Sequence, residues 1–275
     1  MNIHESRLRP VIILVILILF FFSVSSGLKA QDIKKGTINP QDFKRATVVY
    51  QKAQRLFLKG KLDEAQKKIQ DCLAILPQHT SALFLSAQVL LKQNDHTGAL
   101  EMMTTAKAAY PLVAEFLALN QNERLARNQE QLTSLKAQED SLMIALTKFC
   151  VGNPGRSPLE QSLASVRGSI SALSGNAQKP AIAQNELPAD YHYITGNILY
   201  KLGQPAEALV EYETATRLDP THSRAYNNMA LAHFSQQRHE TALSCLIRAE
   251  LSGATVNADF KKTLEEKVSA ANLYK

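Results

Sequence analysis

The sequence predicts an all-α fold: helical hairpins in two pairs, joined by a long helix and closed by a C-terminal capping helix. Three observations predict it. Small residues recur at fixed offsets in four gapless segments, which begin near Ala46, Thr80, Ala189 and Ser223; the first two are 34 residues apart, and so are the last two. Between the pairs, residues 112–149 contain neither Pro nor Gly. Across 275 residues, 45% are apolar, Trp is absent, and there are only 11 Gly and 10 Pro, a composition that suits helices better than many short strands.

Residues 1–30 read as a targeting segment. Arg7 and Arg9 precede an unbroken apolar run, Val11 to Phe22, and Ser23, Ser25, Ser26, Gly27 and Ala30 follow. A basic start, a short apolar stretch and a small-residue exit describe a secretory signal peptide. The run is 12 residues long, whereas a bilayer-spanning helix needs roughly 20. Stretching it to Leu28 keeps an uncleaved membrane anchor open. In both cases the remainder is exported, to a periplasmic or extracellular location, and meets the membrane only through this segment. Residues 31–45 follow as a linker.

The first hairpin pair spans 46–113. Each repeat carries a small residue in its first helix: Ala53 and Ala87 here, Gly196 and Ala230 in the second pair, 189–254. Twelve residues on stands Ala65, Ala99, Ala208 or Ala242, and seven further on Cys72, Ala106, Ala215 or Ala249. Two helices cross closely where small side chains face each other, so a larger residue at Ala208 would force them apart at about 1–3 kcal/mol. Lys59-Gly60-Lys61 and Leu202-Gly203-Gln204 supply turns between helices. Pro77, Pro111 and Pro220 are expected to end the second helices, because proline lacks the amide hydrogen and clashes with the preceding turn. One such hairpin cannot bury its own faces, so neighbours must stack.

These residues resemble the tetratricopeptide repeat family. The clearest stretch is Gly196, Leu199-Tyr200, Gly203, Glu207-Ala208, Tyr212, Ala215 and Leu218-Asp219-Pro220. Tyr226, Met229-Ala230, Phe234, Ala242-Leu243 and Ala249 continue it in the next repeat. The family's usual Trp is replaced by His192 and Tyr226, and by Val49 and Leu83 in the first pair, where the aromatic positions are mostly aliphatic. The resemblance covers about half of the chain.

Between the pairs, 112–150 reads as one long helix with Leu125, Leu132, Leu135, Leu142, Leu146 and Phe149 on a seam of three- and four-residue steps. A degenerate third repeat broken near Asn128 is the alternative. Residues 151–188 form a linker holding a short helix, 158–173, with Ser157-Pro158-Leu159-Glu160 as a capping box. Leu159, Leu163, Val166, Ile170 and Leu173 mark one face. A last helix, 256–272, places Phe260, Leu264, Val268 and Ala271 on one side, as a cap for the stack.

No catalytic, cofactor or metal motif emerges. His239-Glu240 lacks the second His of a zinc-protease helix, since Leu243 stands there. Gly152-Asn153-Pro154-Gly155-Arg156-Ser157 lacks the Lys of a phosphate loop. Cys72, Cys150 and Cys245 have neither metal-ligand nor redox spacing, and Cys72 occupies a small-residue slot. Net charge is +6; three cations against one acid in residues 1–30 leave +4 over the other 245, too dispersed for a nucleic-acid surface. His79 and His222 fall at equivalent turns, where packing accounts for them.

The resemblance implies a non-catalytic protein-binding scaffold or adaptor whose first helices line a concave groove. In the second pair those positions include Tyr193, Asn197, Tyr200, Lys201, Arg224, Asn227, Asn228 and Leu231. Asn can donate to and accept from a peptide backbone, and Tyr gives rigid area with a polar tip. If Asn228 lies free on the groove, Asn228→Ala leaves melting unchanged within about 0.5 kcal/mol. Asn197, Asn228 and Lys262 partly match the clamp with which some chaperone-associated members hold a terminal carboxylate; Tyr193 and Ala258 depart from it. In the first pair, Tyr50, Phe57, Phe84 and Leu91 form a more apolar trough, suited to a partner's amphipathic helix or to the chain's own helix 112–149. Two other functional readings stay open: an enzyme with a site assembled from distant residues, and a homodimer formed through the long helix.

Overall fold

The computed structural model describes residues 38–149, 151, 153–175 and 186–273. The apolar run Val11–Phe22 with its small-residue exit, Cys150, Gly152 and linker residues 176–185 lie outside them. Among the described residues every regular element is an α-helix, ten in all. They divide between two compact units. The first holds the chain to Val113 and again from Glu186; the second is Ala114–Asn185.

The first unit opens with α1, Pro40–Leu58, and α2, Leu62–Ile75. Helix α1 starts six residues before Ala46, inside the expected linker. The cause is local: the Asn39 side chain accepts the Gln41 amide at 2.8 Å, and Pro40 stands at the first helical position, where its missing N–H is no loss. The second hairpin pairs α3, Thr80–Lys92, with the start of α4, His96–Thr147. The third pairs α6, Ala189–Lys201, with α7, Pro205–Leu218; the fourth pairs α8, Ser223–Ser235, with α9, His239–Leu251. Helix α10, Ala258–Leu273, packs on α9 and inserts the fully buried Leu264 into the core of the last repeats.

The small residues do what close crossing requires. Ala53, Ala87 and Ala230, the four alanines at 65, 99, 208 and 242, and Cys72, Ala106, Ala215 and Ala249 are all fully buried or nearly so. Gly196 leaves no room for a side chain: a Cβ there would sit 2.5 Å from the Tyr212 ring. The turn within each hairpin places one residue in the left-handed region. It is Gly60 in the first and Gly203 in the third, but Asn94 (φ 64) and Gln237 (φ 60) in the second and fourth.

Two expectations about Pro111 and the long helix need correction. Pro111 does not end the second repeat; it lies inside α4, which runs 52 residues from His96 to Thr147. The second helix of that repeat and the long helix are therefore one element, unbroken at Asn128. Buried Met103, Ala106, Ala109 and Val113 hold the helix on both sides of the proline, so tertiary packing offsets the one hydrogen bond that the ring removes.

The two pairs also stack directly on each other. Tyr191 of α6 lies face to face with Phe84 of α3 at 4.5 Å and edge-on to Tyr110 of α4 at 5.7 Å. Leu83, Ala87, Met103, Tyr191 and Ile198 share one buried cluster. Four repeats thus form a single stack, although residues 114–185 separate the second from the third in sequence.

The second unit is a helical hairpin. The α4 residues from Ala114 onward run antiparallel to α5, Arg156–Gly175. Arg156 donates to the carbonyls of Leu146 and Phe149 at 3.3 and 2.9 Å, and the Arg167 guanidinium meets Glu139 at 2.6 Å. Leu146 and Leu163 are buried, with Leu132, Leu135, Leu142, Leu159, Val166, Ile170 and Leu173 half-buried on the two seams. The expected capping box is displaced: Ser157 and Pro158 already lie in the first turn, because α5 starts at Arg156. Asn153 instead organises the entry, its side chain accepting the Gly155 amide at 2.9 Å.

Candidate functional site

The first helices α1, α3, α6 and α8 neighbour one another in that order, so their side chains form one face of the stack. His79 and His222 set the start of two of them. Each His Nδ1 accepts a backbone N–H of its own first turn, from Ala82 at 3.2 Å and from Ala225 at 3.1 Å. An accepting Nδ1 leaves the proton on Nε2, which can then donate to Thr47 Oγ1 at 3.4 Å or to Asp190 Oδ1 at 3.3 Å. The Thr47 hydroxyl is itself committed to the Phe43 carbonyl at 2.7 Å, which fits the same tautomer. Burial holds the His79 ring below the usual imidazole range, consistent with a neutral cap. Their equivalent placement is legible in sequence; the capping role is not, because His is an uncommon N-cap.

On the third and fourth repeats, Asn197 Oδ1 is the centre of a polar ladder. It accepts from Tyr212 Oη at 2.9 Å and from Asn228 Nδ2 at 2.7 Å, and Asn227 in turn donates to Asn228 at 3.3 Å. Asn197, Asn227 and Asn228 remain half-buried, so they tie α6, α7 and α8 together while keeping some surface. Burial pushes the Tyr212 hydroxyl far above the usual phenol range, and it stays a donor. The partial carboxylate clamp is therefore already occupied internally: Asn197 and Asn228 bond each other, and Lys262 sits exposed on α10 near Glu266 at 3.9 Å.

Tyr193 is half-buried, with its ring against His222 at 4.8 Å and the Arg224 guanidinium over it at 5.1 Å. Arg224 also reaches Asp190 at 3.5 Å. Tyr200 packs beside the C-terminal core, while Lys201 is exposed at the end of α6. On the first pair, Tyr50 lies against the His79 ring at 5.2 Å and Phe57 beneath Lys92 at 5.2 Å. Phe84 is drawn into the joint with Tyr191, so its role is largely the stacking of repeats.

A second cluster has no sequence signal. Glu211 of α7 receives Lys107 of α4 at 2.7 and 2.9 Å and His192 of α6 at 2.7 Å. Burial pushes the Glu211 carboxyl up, but the hydrogen bonds and charges of His192 and Lys107 outweigh it and hold the group below the usual range. Lys107 and Glu211 are 104 positions apart, so only the docking of the third repeat on the second makes them partners.

The two described cysteines are not activated. Burial pushes the Cys72 thiol up to about 11, and its Sγ–H donates to the Ala46 carbonyl at 3.2 Å; a thiol so held is a poor nucleophile. Burial also raises Cys245. A polar pocket between the third and fourth repeats is lined by Asp190, Asp219, Thr221, His222 and Arg224. Those side chains already satisfy one another and the helix start. Among the described residues no group of three or more His, Cys, Asp or Glu could hold a metal ion.

Stacked two-helix repeats with polar and aromatic side chains along one face define a helical-repeat scaffold. A tetratricopeptide repeat model matches residues 50–114 and a TPR repeat model residues 196–249; the chain carries tetratricopeptide repeats, a fold that commonly binds protein or peptide partners. A thermophilic TPR protein of Thermus thermophilus is 17% identical, with 81% of this chain and 98% of that one covered and a TM-score of 0.36. Pseudomonas aeruginosa pilF is 15% identical, with 84% and 90% covered and a TM-score of 0.35. YrrB, described as a TPR protein with an unusual peptide-binding site, is 15% identical, with 80% and 92% covered and a TM-score of 0.28. No curated protein matches the chain.

Proposed function

We propose that this protein is a non-catalytic adaptor that holds a peptide or helix of a partner protein along its first helices, and that it acts after export or from a membrane anchor. The observation that carries the reading is the continuous first-helix face, where half-buried Tyr193, Asn197, Tyr200, Asn227 and Asn228 keep surface beside exposed Leu231. Amides and tyrosines in that arrangement suit a backbone and its side chains together. A photo-crosslinking residue at Leu231, on α8, is expected to capture the partner, and one at Val210, exposed on the second-helix side, is not. Capture from Val210 alone would move the site to the opposite face. For export, N-terminal sequencing of the protein outside the cytoplasm is expected to give a start between Ser26 and Gln31. Intact Met1 in the membrane fraction would establish the anchor instead.

A second reading concerns the hairpin. Met143 and Ile144 are exposed on it, and the groove between its helices, lined by Ser134, Ala137, Ser141, Leu142, Ser162 and Val166, is free of charge. Self-association there predicts a dimer in light scattering that vanishes when residues 120–150 are deleted.

A further inference from the structure

Charge is divided between the two kinds of helix in the stack. The first helices α1, α3, α6 and α8 carry seven cations against two acids, Asp42 and Asp190, a net of +5. The second helices α2, α7 and α9, with α4 to Val113, carry nine acids against five cations, a net of −4. Asp42 is paired with Arg45 and Asp190 with Arg224 and His222, as Asp71, Glu211 and Glu250 of the second helices are paired with Lys68, Lys107 and Lys261. Preferences at helix ends account for part of this, since cations favour a C-terminus and acids an N-terminus. They do not account for Asp71, Glu211, Glu213 and Glu250, which lie in the middle or late part of their helices.

Three of the cations stand beside the candidate groove. Lys92 and Lys201 are the last residues of α3 and α6, at equivalent places in successive repeats, and both are exposed with no ion pair among the described residues. Lys92 lies over the Phe57 ring and Arg224 over Tyr193. A cation seated on an aromatic ring keeps its outward charge for a ligand while the ring supplies apolar area.

We infer that the groove takes an acidic peptide: internal Asp or Glu side chains meet Lys92, Lys201 and, in competition with Asp190, Arg224, and apolar side chains lie on the neighbouring rings. The inference rests on the groove reading above and adds the chemistry of the occupant. Because Asn197 and Asn228 are bonded to each other, recognition runs through side-chain carboxylates and does not need a free C-terminus. The acidic second helices would repel the same ligand, so the field orients it toward the first-helix face.

The test uses the full chain and fluorescent peptide pools of equal length and aromatic content, all with amidated C-termini and with net negative, zero or net positive charge. The negative pool is expected to bind best and to weaken as salt rises. The double variant Lys92→Glu with Lys201→Glu should lose about tenfold for that pool and gain for the positive one, since each exposed charge contact is modest. Both residues are exposed, so a melt that stays cooperative, lowered only by the small cost of an acid at two helix C-termini, checks the fold. Equal binding of all pools, or no effect of charge reversal, overturns the acidic-peptide inference and leaves the groove reading standing. No binding by any pool, nor by the negative pool resynthesised with a free carboxyl terminus, overturns both. An acidic peptide that binds only with a free carboxyl terminus, or an oligothymidine probe that binds as tightly as the acidic pool, also overturns the inference.

Discussion

Gly196 and Asn228 show how much single side chains carry in this stack. Gly196 faces the Tyr212 ring with no room for a methyl group, and Tyr212 cannot swing away without breaking its bond to Asn197. Gly196→Ala should therefore cost about 1–3 kcal/mol by overpacking, read as a lower melting temperature. Gly168 is the control: it lies in α5, and a methyl group added there would meet nothing within 4 Å, so Gly168→Ala should stabilise the helix by about 0.5–1 kcal/mol. Equal effects at the two sites would refute the crossing argument. Asn228 is not simply free on the groove, because its amide bonds Asn197 across two helices. Asn228→Ala is thus expected to cost about 1 kcal/mol of stability, where the sequence suggested none. A urea melt decides between the two values.

At the scale of elements, the hairpin turns and the joint between repeats make separate predictions. Gln237 adopts φ 60 where Gly203, its counterpart in the preceding repeat, adopts φ 78. An L-residue there costs roughly 1–2 kcal/mol, and glycine returns part of the relief through unfolded-state entropy. Gln237→Gly should raise stability by about 0.5–1 kcal/mol, measured by thermal melting; a loss would mean that the Gln237 side chain matters more than its backbone. The Glu211 joint links stability to pH. Its carboxyl is held below the usual range, so its contribution is full above the unfolded carboxylate pKa and disappears as pH falls through the folded value. His79, also held low, adds stability above the unfolded imidazole pKa that is lost as pH falls toward its folded value. Urea midpoints should therefore decline in two stages from neutral to acidic pH, with Glu211→Gln flattening only the more acidic one. An unaltered acidic limb in Glu211→Gln would show that the joint contributes nothing.

The molecule as a whole is a repeat stack interrupted by a helical hairpin. All four repeats and α10 belong to one unit, with their small-residue crossings buried inside it. Replacing residues 114–185 by a flexible Gly/Ser linker should accordingly leave a cooperatively folding stack, seen as one sharp melt by circular dichroism. A molten product would show that the hairpin is part of the folding unit.

Local pattern carried much of this. The spacing of Ala53, Ala65 and Cys72, and of Gly196, Ala208 and Ala215, dictates two-helix repeats, because close crossing tolerates few side chains. The three- and four-residue steps of Leu132, Leu135 and Leu142 dictate a paired helix in the same way. Pro111 misled because a proline's local penalty is a few kcal/mol, less than the packing around Met103 and Val113 can supply. The docking of the third repeat on the second, the Glu211–Lys107–His192 cluster and the Asn197 ladder were beyond the sequence. Each depends on residues brought together by long-range packing, and periodicity along one helix says which face is buried but not what will cover it.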